Sequence, residues 1–555
     1  MHAPGLQEFP SIVPSNPDMR SLVKAAATLV LLLLAPWAWM PMAAAKAATL
    51  LTLEFPLLAA LYAVAVLAGV LAVAGSPFVR PAWARLPLVG TFLVGFGADF
   101  VARAVQGEPL SSHMLATLIQ ARHEVGHAVG TYGGDIALGL FITAVLAPPL
   151  IARPQQEFSV GIWFLAAPVS AIALTFLLIG SFTGRIEEFP SPIAVPVQTW
   201  FAAKESSFYL GPREPLVYED PVRPKFEKII FVIDESIRGD YLQLNNPSLD
   251  NTPFLVSAQP LLANFGIATS YSNCSATARL SLRAGARETD FPDPKERIMR
   301  QPTLWQFAKR AGYRTIFLDT WLPVRRMSSM LTYDELRYVD ERAAVSLVPY
   351  AEADDRVAER IISEVARPGP ALLFVEKIGL HTPYQRNLPP TQAYAPRVPA
   401  HARSLDPSRA ADIADYLVGV WWRVDRFFER LLPAIDRPGV LLIYTSDHGQ
   451  ALYEGGYDAS NCSGPNAVRG EGLVPLFVFA GDESVRRTFQ EAATRASNRA
   501  AHSDIFPTLL SAMGFDPSLV DPPYAAGLLA VPTDRTRRFF VFSPFGPDMH
   551  WVPVD

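Results

Sequence analysis

Residues able to do chemistry gather at the ends of three predicted strands and in one loop. Residues 229–233 run into Asp234-Glu235-Ser236, and residues 440–444 run into Thr445-Ser446-Asp447-His448-Gly449. The run 371–375 is followed closely by His381. The loop Asn273-Cys274-Ser275-Ala276-Thr277-Ala278-Arg279 is rich in small hydroxyl-bearing residues and leads toward a helix. Taken singly, Glu235 and Thr277 are also ordinary capping residues, and Asp-His-Gly an ordinary turn. Together, two carboxylates, an imidazole and a hydroxyl suit a four-coordinate Zn²⁺ in which one position is the nucleophile. Such a cation would lower the pKa of a hydroxyl otherwise too weak to attack at neutral pH. A second pattern competes: His123-Glu124-Val125-Gly126-His127 matches H-E-x-x-H, in which two histidines four apart on one helix face bind zinc in a protease. No third ligand follows it, which favours the first constellation.

Short β-branched runs at 229–233, 315–318, 371–375, 440–444 and 476–479 alternate with helical patterns at 303–311, 351–366 and 410–432. This alternation predicts an α/β domain with a largely parallel sheet covered on both faces, over 226–555. Ligand sites in such sheets lie beyond the carboxyl ends of the strands, where these residues fall.

The chain of 555 residues is 50% hydrophobic and 18% charged, with net charge −5 and two cysteines. Its mean hydropathy is +0.18. Disorder is excluded by the apolar content, and a slightly acidic balance without a basic run argues against nucleic acid as a partner. Two cysteines support neither a disulfide framework nor a four-cysteine zinc site. Five apolar stretches, 25–45, 50–74, 86–105, 136–151 and 158–182, predict an α-helical transmembrane domain over 1–185. Short-loop cations at Arg20, Lys24, Arg80, Arg85 and Arg153 place the N-terminus in the cytoplasm and everything after Arg185 outside, the periplasm if the source is a bacterium. A linker at 186–225 joins the halves, and 198–210, with Trp200 and Tyr209, reads as a possible interfacial helix.

The blocks Phe231-Val-Ile-Asp-Glu-Ser-Ile-Arg238, Ser275-Ala-Thr-Ala278 and Ser446-Asp-His-Gly449 resemble the membrane-bound phosphoethanolamine transferases of the alkaline phosphatase and sulfatase superfamily, including the lipid A modifying enzymes of colistin resistance. The resemblance implies a zinc enzyme of the bacterial inner membrane, with five spans and a periplasmic sulfatase-like domain. It would move phosphoethanolamine from phosphatidylethanolamine through a phospho-threonine to an envelope acceptor such as lipid A or another glycan, acting as a monomer. By motif, Glu235, Asp447 and His448 match the zinc ligands, and Thr277 matches the nucleophile that completes them. His381 matches a histidine beside the transferred phosphate or a second metal. Arg325 or Arg326 falls where a lysine contacts substrate phosphate, and Glu124 matches an acidic residue facing the donor head group. Gln450 and Asn461 replace an acidic residue and a histidine of the pattern, which puts a second metal site in doubt. The resemblance also suggests that Cys274 and Cys462 pair near the site.

A sulfatase is disfavoured because that branch needs C/S-x-P-x-R, and neither Cys274 nor Ser275 has a proline two residues on. A glycerol-phosphate transferase or phosphodiesterase would use the same groups. His502, at a predicted helix start, reads as packing and capping.

Overall fold

In the computed structural model the chain divides into two compact units, residues 1–205 and 206–555. The structure describes 209, 211–218 and 222–555, apart from 321–328, 345–349, 381–383, 389–393, 400–401, 403–404, 455–460, 463–466, 526 and 547–548. In the first unit it describes chiefly 56–75, 82–106, 125–151 and 194–200.

Three helices stand out in the first unit: α1 (Pro56–Gly75), α2 (Ala82–Gln106) and α3 (Val125–Ile151). They cover most of the second and all of the third and fourth predicted apolar stretches, whereas the first lies outside the described residues, as does most of the fifth. Among the described residues no helix is long and apolar enough to cross a membrane. Two of the charges on α2 pair with each other: Arg103 Nε lies 2.8 Å from the Asp99 carboxylate one turn away. The remaining Asp99 oxygen accepts the Leu110 N–H at 2.7 Å.

The second unit is built on a seven-stranded sheet of β1 (Lys228–Asp234), β2 (Leu262–Thr269), β3 (Arg314–Asp319), β4 (Glu341–Ala344), β5 (Ala371–Glu376), β6 (Val440–Ser446) and β7 (Leu473–Ala480), in the order β2-β7-β6-β1-β5-β3-β4. The five strands from β6 to β4 are parallel, and β7 runs antiparallel to both β6 and β2. A small hairpin, β8 (Arg538–Val541) and β9 (His550–Pro553), stands apart. All seven residues of β1 are buried, as expected of a central strand covered on both faces. Ile230 and Val232 join the large core with Leu373, Leu442, Leu417 and Phe428. On the opposite face Phe231 packs edge-on against Phe374, which in turn meets Trp305. Each such buried side chain contributes about 1.5–3 kcal/mol of transfer free energy, so the layer order follows from apolar content.

The predicted helix at 410–432 is one helical rod in three parts: Pro407–Val420, a π turn at Trp421–Asp425, and Arg426–Ile435. The wider π turn loosens the backbone ladder, and the Arg423 carbonyl accepts a bond from Lys377 Nζ at 2.6 Å. Residues from 206 onward group with the second unit. Arg213 is buried there against Glu335, and the Glu214 N–H donates to the Arg300 carbonyl at 2.6 Å.

Candidate active site

Parallel register carries Asp234 of β1 opposite Ser446 of β6, and Ile233 opposite Glu376 of β5, so the three polar strand ends open onto one edge. Immediately after β1 the backbone turns sharply: Ser236 has φ +61°, a left-handed conformation that costs a serine roughly 1–3 kcal/mol. Surrounding bonds hold it. Ser236 N–H donates to Asp447 at 3.2 Å, the Tyr416 hydroxyl donates to the Ser236 carbonyl at 2.8 Å, and Ile237 N–H donates to Ser446 Oγ at 2.8 Å. The chain after β5 passes so close that a Cβ on Gly379, φ +57°, would lie 2.2 Å from the Glu235 carbonyl oxygen. Glycine is required there.

Glu235, Asp447 and His448 come together, each buried, with one ligand atom apiece inside a 4.8 Å cluster. His448 Nε2 is 3.3 Å from Glu235 and 3.6 Å from Asp447. Nδ1 lies 2.6 Å from the Gly449 carbonyl, which fixes it as an N–H and makes Nε2 the ring nitrogen that faces the carboxylates. Burial pulls the imidazolium down, but Asp447 and Glu235 outweigh it and hold the His448 pKa up at about 9. Burial and the Glu235 charge push the Asp447 carboxyl up, against the pull of His448 and Arg279. Both directions say that the cluster favours added positive charge. One nitrogen and two carboxylate donors fit zinc.

Ser275 completes the cluster. Its Oγ is 3.0 Å from His448 Nε2 and 3.3 Å from each Glu235 carboxylate oxygen. Thr277 is placed differently: its Oγ1 lies 2.8 Å from Ser272 Oγ and 3.1 Å from the Cys274 carbonyl. Both residues belong to the first turn of helix α4 (Ser275–Ala284).

Arg279, one turn along α4, was named in the sequence only as the end of the hydroxyl-rich loop, yet it is the main cation of the site. It is buried, with Nη2 at 2.6 Å from Glu235, Nε at 3.0 Å from Asp447 and Nη1 at 3.3 Å from Glu376. Burial pushes the Glu376 carboxyl up to about 7 even beside this guanidinium. The sequence carried a signal for it: Ser275 and Arg279 hold the first and last places of the C/S-x-P-x-R spacing, with Thr277 where proline would stand.

Cys274 and Cys462 form a disulfide, and Cys462 N–H donates to the Asn273 carbonyl at 2.9 Å. The staple brings Asn461 Nδ2 to 3.0 Å from His448 Nε2, so the residue standing for the pattern's histidine does reach the site. A loop of 188 residues is closed, and removing a native disulfide of this kind costs roughly 2–5 kcal/mol. Cys462→Ser is therefore expected to lower the melting temperature in non-reducing buffer, and dithiothreitol to lower that of the wild type to the same value. Equal melting with and without reductant would refute this.

His502 lies beneath the site. It accepts the Tyr271 N–H at Nδ1, 3.3 Å away, and Nε2 is 2.9 Å from the Ser446 carbonyl. Burial holds its pKa down at about 3, consistent with a neutral, packed ring. Glu124, His123, Arg325, Arg326 and His381 lie outside the described residues, and His127 falls in α3 with its side chain not described.

Residues 227–515 match the family model described as Sulfatase, which spans just over half of the chain. The chain belongs to the sulfatase family. This sulfatase-family chain is 21% identical over 344 residues to the Kdo(2)-lipid A phosphoethanolamine 7''-transferase of Escherichia coli strain K12, a match covering 58% of each. The counterpart in Salmonella typhimurium matches at the same identity and coverage. The chain thus spans less than two thirds of the length of the curated relatives it matches. Among solved structures, it is similar to the zinc complex of the C-terminal periplasmic domain of EptC from Escherichia coli, at 18% identity and TM-score 0.49, over 62% of this chain and 96% of that one.

Proposed function

We propose that this sulfatase-family chain transfers phosphoethanolamine from phosphatidylethanolamine to an envelope acceptor such as lipid A or another glycan, through a phosphoryl group carried on the protein. The observation that carries the reading is the buried cluster of Glu235, Asp447 and His448 at the carboxyl edge of the sheet, in contact with a hydroxyl of the first turn of α4. The activity named for the relatives in Escherichia coli and Salmonella typhimurium supports the choice of group transferred. The Cys274–Cys462 disulfide supports an oxidising compartment such as the periplasm, with 1–185 as the inner-membrane anchor that gives access to a lipid donor.

Glu235, Asp447 and His448 would hold one zinc ion, which supplies the positive charge that makes a hydroxyl nucleophilic and offsets charge on the phosphate oxygens. Arg279 holds the Glu235 and Asp447 carboxylates in place through charge-assisted bonds. The Gly449 carbonyl holds the imidazole in the required tautomer. The strained turn at Ser236 fixes the direction of Glu235. A hydroxyl of α4 attacks phosphorus and diacylglycerol leaves; an acceptor oxygen then takes the phosphoethanolamine in a second displacement, giving ping-pong kinetics. The family resemblance names Thr277 for this step, whereas the distances favour Ser275. His381 and Arg325 are proposed to contact the phosphate, and Glu124 the ammonium of the donor.

Intact-mass measurement of the zinc-loaded full chain in detergent, incubated with phosphatidylethanolamine, is expected to show a phosphoethanolamine adduct that lipid A discharges. An adduct of glycerol phosphate from phosphatidylglycerol alone would favour the related glycerol-phosphate transfer. Peptide cleavage abolished by Glu124→Gln, with no adduct from either lipid, would overturn the proposal.

A further inference from the structure

We infer that Ser275, and not Thr277, is the residue that carries the phosphoryl group; the inference rests on the transfer reading above and adds the identity of the covalent carrier. Two residues along an α-helix are about 200° apart around its axis, so the hydroxyls of Ser275 and Thr277 cannot face the same cluster while the first turn of α4 is intact. Four residues are only about 40° apart, and Arg279 marks which face is turned inward: its guanidinium touches both Glu235 and Asp447. Ser275 shares that face and Thr277 does not.

Exposure agrees with direction. Ser275 is half-buried, whereas Thr277 is 6% exposed. The Thr277 hydroxyl is committed to the turn below it, between Ser272 Oγ and the Cys274 carbonyl. Bringing it round to His448 would require breaking the Ala278 N–H bond to the Cys274 carbonyl, 3.0 Å long, next to a cysteine that the disulfide anchors. Thr277 is thereby a positioning residue that shapes the turn presenting Ser275.

In the first displacement the Ser275 Oγ–phosphorus bond forms and the bond from phosphorus to the leaving alcohol breaks. The serine proton passes to water, and the departing alkoxide takes a proton from water. In the second displacement an acceptor oxygen bonds to phosphorus, the Ser275 Oγ–phosphorus bond breaks and the serine is reprotonated.

The test uses the zinc-loaded full chain in detergent with two donors, phosphatidylethanolamine and the activated diester bis(para-nitrophenyl) phosphate, followed by fragmentation of the peptide that contains the start of α4. The adduct is expected on Ser275. Ser275→Ala should lower labelling by more than about 100-fold and weaken zinc binding in competition with a chelator. Thr277→Val, or Thr277→Ser if the valine variant melts early, should still carry the adduct on Ser275 and retain zinc, with labelling lowered far less than in Ser275→Ala. Labelling of Ser275 by the activated diester but not by the lipid would sustain the carrier assignment while removing the proposed donor. An adduct on Thr277, wild-type labelling of a folded Ser275→Ala chain, or no label on Ser275 from either donor would overturn it.

Discussion

Arg279→Ala is expected to destabilise the metal-free second unit by roughly 3–5 kcal/mol, the cost of stranding a buried charge by removing its partner. The stranded groups here are three: Glu235, Asp447 and Glu376 all point at the guanidinium, and none is more than slightly exposed. At roughly 2 °C per kcal/mol for a unit of this size, melting in the presence of a chelator should fall by roughly 5–10 °C. Zinc should return part of the loss, because a divalent ion among Glu235, Asp447 and His448 neutralises two of the three carboxylates. Transfer should not recover, since the two ligands would no longer be held in register. Arg279→Lys should behave similarly, for an ammonium on one stem cannot span three carboxylates that a planar fork reaches. Differential scanning fluorimetry with and without zinc checks this, and unchanged melting of Arg279→Ala in chelator would show that the carboxylates are compensated in some other way.

The second large effect concerns the ligands. Asp447→Asn keeps the shape and the oxygen that accepts the His448 N–H at 2.8 Å, but removes the charge. His448→Ala removes the nitrogen donor, and Glu235→Gln removes the charge nearest to it, 3.3 Å away. Loss of a partner that only orients a ligand costs roughly 10–100-fold in metal affinity; each of these three changes is expected to exceed that and to abolish transfer. Chelation of the wild type should stop transfer, and added zinc should restore it. Zinc content by mass spectrometry, read beside the transfer rate, separates loss of metal from loss of fold. Undiminished transfer after exhaustive chelation would remove the metal from the mechanism.

Five strands of the sheet, β1, β3, β5, β6 and β7, were legible as apolar runs because strands buried on both faces need apolar residues on both. β2 was not legible. It contains Asn264 and Gly266, the latter at φ +79°, and its register with β7 shifts between Asn264 and Ile267, so neither alternation nor a continuous apolar run marks it. β4 is a four-residue edge strand beginning Glu341-Arg342, too short and too charged to stand out. The helical rod at 407–435 was recognised in outline, but its π turn was not, since the carbonyl there is met by Lys377, a residue distant in sequence that follows β5.

The primary structure alone determined which chemical groups this protein possesses and where along the strands they fall. Glu235, Asp447 and His448 were recognisable because a polar residue ending a buried strand is conspicuous and a parallel sheet brings such ends to one edge. Which hydroxyl of Ser275 and Thr277 meets them was decided only in three dimensions, because it depends on where the first turn of α4 begins and hence on the phase of a helix. The role of Arg279 was decided there too, since a buried arginine is admitted only where carboxylates from distant strands converge on it.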